Sequence, residues 1–458
     1  MDRTEELGRA PIGGLLLRFS LPAIVGMLVN AIYNVVDRLF IARGVGPLGL
    51  AGATVAFPLM LVLMAFGMLI GMGGSSLVSI RLGERRERDA ERILGNATGL
   101  MVLISLTITG LGLAFLEPIL RLFGASDVIL PYAKSYTSII LAGSVFQGIG
   151  FGLNNFIRGE GNPKVAMVTM LIGAVLNIIL DAVFIFAFGW GVAGAALATV
   201  ISQAVSAVWV LSYYLSGKSH LKIRAADLAP RPEVFTPMLA IGAAPFAMQL
   251  AASAVNGLLN NQLQRYGGDA AISAMGIIFS VITFIVMPLF GLNQGNQPIV
   301  GYNYGAKNFE RVRKTMLLAI GAASATVLSG FLVAQLAAPA LARAFAGGST
   351  ELVALASRAL RMYTLGLPLI GFQIVAAGYF QASGKPREAM FLSLSRQVIL
   401  LIPLFIILPL RFGLDGVWMA PPISDFLSAL LTGVFFFREL RSLGVKNAAA
   451  LSEAAATA

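Results

Sequence analysis

Residues 71–83 read GMGGSSLVSIRLG, and residues 293–305 read NQGNQPIVGYNYG. Each closes an apolar run, carries a glycine-rich polar centre and leads into a basic loop. The same offset recurs on either side. SLP (20–22) pairs with AAP (243–245), and RGEGNPK (158–164) pairs with QASGKPR (381–387), all 222–223 residues apart. The chain is therefore one unit written twice. Within each copy lie six apolar runs long enough to span a bilayer core, which takes about 20 residues per helix. We place them near 19–42, 53–80, 93–116, 129–157, 165–188 and 192–216, then 237–262, 270–300, 314–338, 356–382, 389–410 and 414–437. They are numbered helices 1 to 12.

Composition agrees. Of 458 residues, 57% are hydrophobic and only 12% charged, with a mean hydropathy of +0.82. Soluble domains carry about 25% charged residues, so the solvent for most of this chain is lipid. The predicted fold is all-α and integral to the membrane. Twelve transmembrane helices form two six-helix bundles. An even number of spans per copy gives both copies one orientation, related by a pseudo-twofold along the membrane normal. The reading by domain is an N-terminal bundle over 1–216, a polar linker over 217–236, a C-terminal bundle over 237–437 and a tail over 438–458. Net charge is +11, but the basic residues sit in short loops, where they act as topology signals and not as a nucleic-acid surface. The terminal segments and alternate loops hold 23 of the 33 Lys and Arg, against 8 in the other loops and flanking helix ends. That bias puts both termini in the cytoplasm, and the expected location is the plasma membrane, as a cell inner membrane. No cysteine and a single histidine, His220, exclude disulfides, thiol nucleophiles and His/Cys metal centres. No enzyme constellation stands in the short loops, and no cofactor is expected.

A charge at mid-bilayer costs at least about 2.5–3.5 kcal/mol, so each intramembrane acid needs a reason. Helix 1 carries Asn30, Tyr33, Asn34 and Asp37 on one face, at i, i+3, i+4 and i+7. Helix 5 carries Asn177 and Asp181 at i, i+4, and helix 6 carries Thr199 and Gln203 likewise. Asp37, Asp181 and Thr199 all lie roughly 6–10 Å from the outer end of their helices, at 1.5 Å per residue. Two acids, an amide and a hydroxyl thus meet at one level. Oxygen ligands suit Na⁺, and two adjacent carboxyls suit a proton. Interhelical glue is the bland alternative, but glue is made of Ser, Thr and Asn, not paired acids. Through the repeat, Asp37 falls on Asn260, Asn177 on Leu400, Asp181 on Leu404 and Thr199 on Pro421. The second copy keeps the scaffold without the acids, which points to one ion site per molecule.

Uncharged polar residues offer a cavity lining: Gln147 and Asn154 on helix 4, Asn256 and Asn260 on helix 7, Gln294 and Gln297 on helix 8. Pro22 in helix 1, and Pro245 at the matching place in helix 7, permit bends. The Gly- and Pro-rich run 291–305 predicts a broken or bent helix 8. Arg396 and Asp425, at similar depth on helices 11 and 12, read as a structural ion pair, with substrate contact the second reading. Glu160 in the loop RGEGNPK reads as a solvated turn, and Arg38 as snorkelling outward.

YNVVDRLFIARGVG (33–46), GMGGSSLVSIRLG (71–83), FIRGEGNPK (156–164), LNIILD (176–181) and GLNQGNQPIVGYNYGA (291–306) resemble the multidrug and toxic compound extrusion (MATE) family. The resemblance covers essentially the whole chain. It implies an antiporter that expels amphipathic, often cationic compounds for Na⁺ or H⁺ by alternating access. One branch of that family holds its cation on an Asp in helix 1, an Asn-x-x-x-Asp in helix 5 and a Thr in helix 6, which Asp37, Asn177, Asp181 and Thr199 match. The resemblance also assigns Tyr33, Asn154 and Met170 to the drug cavity and Pro22 to helix 1 bending. Another branch uses acids on helices 7 and 10, which this chain lacks. Arg38 after Asp37 departs from the small polar residue common in the family. Expected partners are the lipid bilayer and small-molecule substrates, with no nucleic acid, and the protein is expected to act as a monomer. A flippase for lipid-linked precursors is the main alternative, disfavoured because Arg396 is the one deeply placed cation. A channel would need a continuous polar pore.

Overall fold

The computed structural model describes residues 3–345 and 349–457; the outer limits of the domain reading, 1 and 458, lie outside them. In hydrocarbon every backbone N–H and C=O needs an internal partner, and a helix supplies it. Among the described residues, nine helices are long and apolar enough to cross a bilayer. There are ten when Leu130–Ala142 and Ser144–Gly159, bent by 54° at Gly143, count as one crossing. Two of the ten are themselves pairs. Pro232–Gly305 turns at Gly268 (φ 59°, ψ −155°) and Ile402–Thr457 turns at Gly413 (φ 56°, ψ −135°), which brings the crossings to twelve. Both glycines adopt a left-handed conformation that a Cβ would strain.

Helices 1, 2 and 3 are Ile12–Gly44, Pro47–Gly83 and Glu87–Ala114. Helix 4 is the bent pair. Helix 5 is Pro163–Asp181 followed by a π-helical segment, Ala182–Ala187. Helix 6 is Gly191–Leu215. Helices 7 and 8 divide Pro232–Gly305, helix 9 is Phe309–Leu336, and helix 10 runs from Thr350–Tyr363 into Leu367–Ala382. Helix 11 begins as Pro386–Leu394, passes through a second π-helical segment, Ser395–Leu401, and ends at Gly413. Helix 12 follows and continues as helix through the segment read as a tail.

The chain forms two units, and they differ from a linear split at 216/237. The first holds Val25–Phe246 with the short helix before Gly8; the second holds Gly8–Ile24 with Ala247–Ala458. Helix 1 therefore begins in the second unit and passes to the first just after Pro22. Helix 7 begins in the first and passes to the second just after Pro245. Glycines make both transfers possible. In the second unit, a Cβ on Gly291 or Gly295 would meet the backbone of Ile24 or Ser20 at 2.6 Å. In the first unit, a Cβ on Gly73 would run into the Met238 carbonyl, and one on Gly242 into the Leu69 carbonyl. Gly73 and Gly295 occupy the same place in the two repeat motifs.

This corrects the expectation of a broken helix 8. Apart from Gly268, no non-helical residue interrupts Pro232–Gly305. The glycines of 291–305 serve close packing on the start of helix 1, not a break in helix 8.

The linker is docked, within the first unit, on helix 3. Arg88 holds Asp227 through two bonds of 2.6 and 3.1 Å, and Arg224 reaches Glu91 at 2.9 Å. Asn96 donates to the Asp227 carbonyl at 2.9 Å and accepts from the Arg231 amide at 2.6 Å. Gly95 and Gly99 leave the space that the linker backbone fills. Beside Arg88, Asp227 raises the guanidinium's already high proton affinity. Glu160 is also not solvated. It is 1% exposed and accepts from Tyr213 and Ser219, so it ties the loop after helix 4 to the end of helix 6.

Candidate functional site

In the first unit the predicted acids come together. The carboxyls of Asp37 and Asp181 lie within hydrogen-bonding reach of each other. Asp181 is fully buried. No donor reaches either of its oxygens, nor Oδ1 of Asp37. One turn earlier on helix 5, Asn177 is 3% exposed and donates from Nδ2 to Thr199 Oγ1 on helix 6 at 3.4 Å. Its own Oδ1 meets no donor. The pattern read from helices 1, 5 and 6 thus gives two linked pairs, Asp37 with Asp181 and Asn177 with Thr199, in which the Asp181 oxygens, Asp37 Oδ1 and Asn177 Oδ1 meet no donor. Two carboxylates in contact repel unless something positive joins them. A single proton between them, or a monovalent cation coordinated by carboxyl, amide and hydroxyl oxygens, is the chemistry this set accepts. Among the described residues there is no group of three or more His, Cys, Asp and Glu arranged for a metal.

Helix geometry explains the placement. Pro163–Asp181 is regular up to Asp181, and the π-helical turn begins immediately after it. Such turns concentrate at functional sites because they re-aim side chains at a cost in helix stability. Tyr33 is one turn before Asp37 and lies within electrostatic range of both acids. Asn34 turns back on its own helix, donating to the Asn30 carbonyl at 2.7 Å. Met170 rests in a notch on helix 1, where a Cβ on Gly26 would meet its sulfur at 2.6 Å. Arg38 is exposed and lies over the Phe57 ring at 5.2 Å, a cation–π contact, while remaining within electrostatic range of Asp37.

Tyr136 was not anticipated. It is 3% exposed on the first half of helix 4, within electrostatic range of Asp37, Tyr33 and Asp181, and its hydroxyl is 3.8 Å from Met60 Sδ. Among Tyr132, Lys134, Ser135, Thr137 and Ser138 nothing marks Tyr136 out, and the bend at Gly143 prevents phasing helix 4 from its polar second half. Asn154 is 4% exposed; its Oδ1, and the Oε1 atoms of Gln147 and Gln203, also meet no donor. The first unit is therefore rich in buried oxygens seeking a positive partner.

The second-unit candidates are dispersed. Asn256 and Asn260 are exposed on helix 7, and Gln294 is half-buried. Gln297 lies near the end of helix 8, with its Nε2 3.5 Å from Gln381 Oε1 on helix 10, the position of an interhelix contact. Pro22 is buried in the second-unit part of helix 1, two residues before the transfer.

Known proteins give a consistent comparison. The MatE family model matches residues 22–183 and again 245–407, one match in each repeat. The multidrug export protein MepA of Staphylococcus haemolyticus is 28% identical over 96% of this chain and 96% of its own length. A solved structure of the MATE multidrug transporter DinF-BH is 44% identical, covers 93% of this chain and 95% of that one, and superposes with a TM-score of 0.87. A crystal structure of a MATE protein in a bent conformation is 26% identical, covers 98% of this chain and 99% of that one, and has a TM-score of 0.91.

Proposed function

This chain belongs to the MATE family, and from that premise we propose that it is a multidrug exporter of the plasma membrane that expels amphipathic, cationic small molecules in exchange for H⁺ or Na⁺ by alternating access. The observation that carries the coupling is the pair Asp37 and Asp181, within hydrogen-bonding reach of each other, with Asp181 fully buried and no donor on either of its oxygens or on Oδ1 of the half-buried Asp37. Asn177 and Thr199 complete the cation site. When the site holds a proton or Na⁺ its charge is compensated. When the ion leaves, the carboxylates attract a cationic substrate seated against Tyr33, Asn34, Asn154 and Met170. Export follows because the two ligands compete for one negative site, so each turn exchanges an inward ion for an outward drug. Asn256, Asn260, Gln294 and Gln297 contribute uncharged contacts that tune substrate choice. Both termini face the cytoplasm, and one chain in the bilayer suffices.

The test is efflux of a cationic dye from vesicles in which a Na⁺ gradient and a pH gradient are imposed separately. Asp37→Asn and Asp181→Asn are expected to abolish gradient-driven efflux while leaving membrane insertion intact. Efflux at the wild-type rate in both variants would remove the site.

A further inference from the structure

The second bundle lacks the acids of the first but has an intramembrane charge of its own. Arg396 stands ten residues into helix 11, about 15 Å from its start and so near mid-bilayer. It sits on the π-helical segment Ser395–Leu401. The other such segment among the described residues, Ala182–Ala187, directly follows Asp181. Each bundle thus spends its irregular turn at its own buried charge.

Arg396 is held from one side only. Nε donates to Asp425 Oδ1 at 2.5 Å. Asp425 is 2% exposed and fixed in turn, since Gln373 donates to its carbonyl and Ser424 donates to the Arg396 carbonyl at 2.9 Å. Gly366 makes room for it: a Cβ there would stand 2.5 Å from Asp425 Oδ2. An arginine–carboxylate pair is strongest when two parallel N–H bonds join it. Here Nε takes the carboxylate and the terminal amines carry no bond. The Arg396 side chain is 28% exposed while that of Asp425 is 3% exposed. Beside the pair, Gln373 Oε1 is a buried acceptor with no donor. Ionisable side chains at mid-bilayer as a rule face the bundle interior or a water-filled cavity.

We propose that the free edge of Arg396 is an anion subsite of the second bundle, taking the carboxylate of a zwitterionic substrate, with Asp425 as its positioning residue. The proposal rests on the export reading and deepens it: Arg396 gives the second bundle a selectivity of its own, for molecules that carry a carboxylate.

The test uses rhodamine 6G, a cationic ethyl ester, and its hydrolysed free acid, which adds a carboxylate. Binding to the purified full-length protein is read by fluorescence polarisation, and efflux in proteoliposomes. The variants are Arg396→Lys, which keeps the charge but loses the fork, and the double change Arg396→Gln with Asp425→Asn, which leaves no lone buried charge. The expected result is a loss of about ten- to a hundredfold in affinity for the acid, with the ester changed by less than about threefold, and an intermediate loss for the lysine variant. Equal effects on both dyes, whether none or complete loss, would overturn the subsite; so would an arginine filled by a lipid phosphate, which shows as equal responses that vary with anionic lipid content. Should the wild-type protein move neither dye, the export reading fails while the binding comparison still decides the subsite.

Discussion

Replacing Asp37 by asparagine keeps the shape of the side chain and removes its charge. A cationic substrate against Tyr33 sits one helical turn from Asp37, about 6 Å away on the same face. With an effective dielectric of about 20, the attraction between unit charges at that distance is about 2.8 kcal/mol, roughly a hundredfold in affinity. This lies within the range of 1–3 kcal/mol common for coupled sites, and reciprocity requires the substrate to weaken ion binding by the same factor. Protonation or Na⁺ binding at the acid pair cancels that attraction, so cationic drug affinity falls as pH falls or as Na⁺ rises. In the Asp37→Asn protein the introduced amide gives Asp181 the donor it lacks. The ion dependence should then flatten to within about threefold. The assay is titration of a cationic dye into detergent-purified protein across a pH series and a Na⁺ series. Wild-type affinity independent of both ions would refute competition at this pair. So would full dependence retained in the variant.

The glycines that admit the exchanged helix starts should tolerate no side chain. Gly295→Ala drives a Cβ into the Ser20 backbone and should lower stability by about 1–3 kcal/mol, whereas Gly110→Ala, with open space around it, should not; thermal unfolding in detergent checks both, and equal midpoints would dismiss the packing argument. Arg88→Ala should release the linker from helix 3, so that trypsin cuts after Arg224 faster than in the wild type; unchanged cleavage would mean that the linker is held by other contacts.

The crossings were legible because lipid imposes long apolar runs, and the twofold plan because the motifs around Gly73 and Gly295 repeat. Asp37, Asn177, Asp181 and Thr199 were legible because helical spacing puts each on a defined face and length sets its depth. What failed was whatever depends on how faces meet. The run 291–305 has the composition of a helix breaker, yet glycine is used as readily for close approach, and only the neighbour, Ile24, distinguishes the two. Glu160 looked solvated because its partners Tyr213 and Ser219 lie more than fifty residues away. The π-helical turns at Ala182–Ala187 and Ser395–Leu401 have no composition of their own.

The exchange of helix starts bears on how the protein is made. During synthesis the residues Gly8–Ile24 leave the ribosome first, but the backbone they pack against at Gly291 and Gly295 is some 270 residues downstream. The first-born segment therefore waits, unpartnered, through the insertion of six further helices. Val25–Phe246 meanwhile has every helix it needs, including the start of helix 7. A nascent chain halted after Phe246 would hold one finished bundle and one idle strand of helix, a ready target for membrane quality control. Two chains completed side by side could each lend that segment to the other's second unit, so the connectivity that joins the halves of one molecule is also a route to joining two.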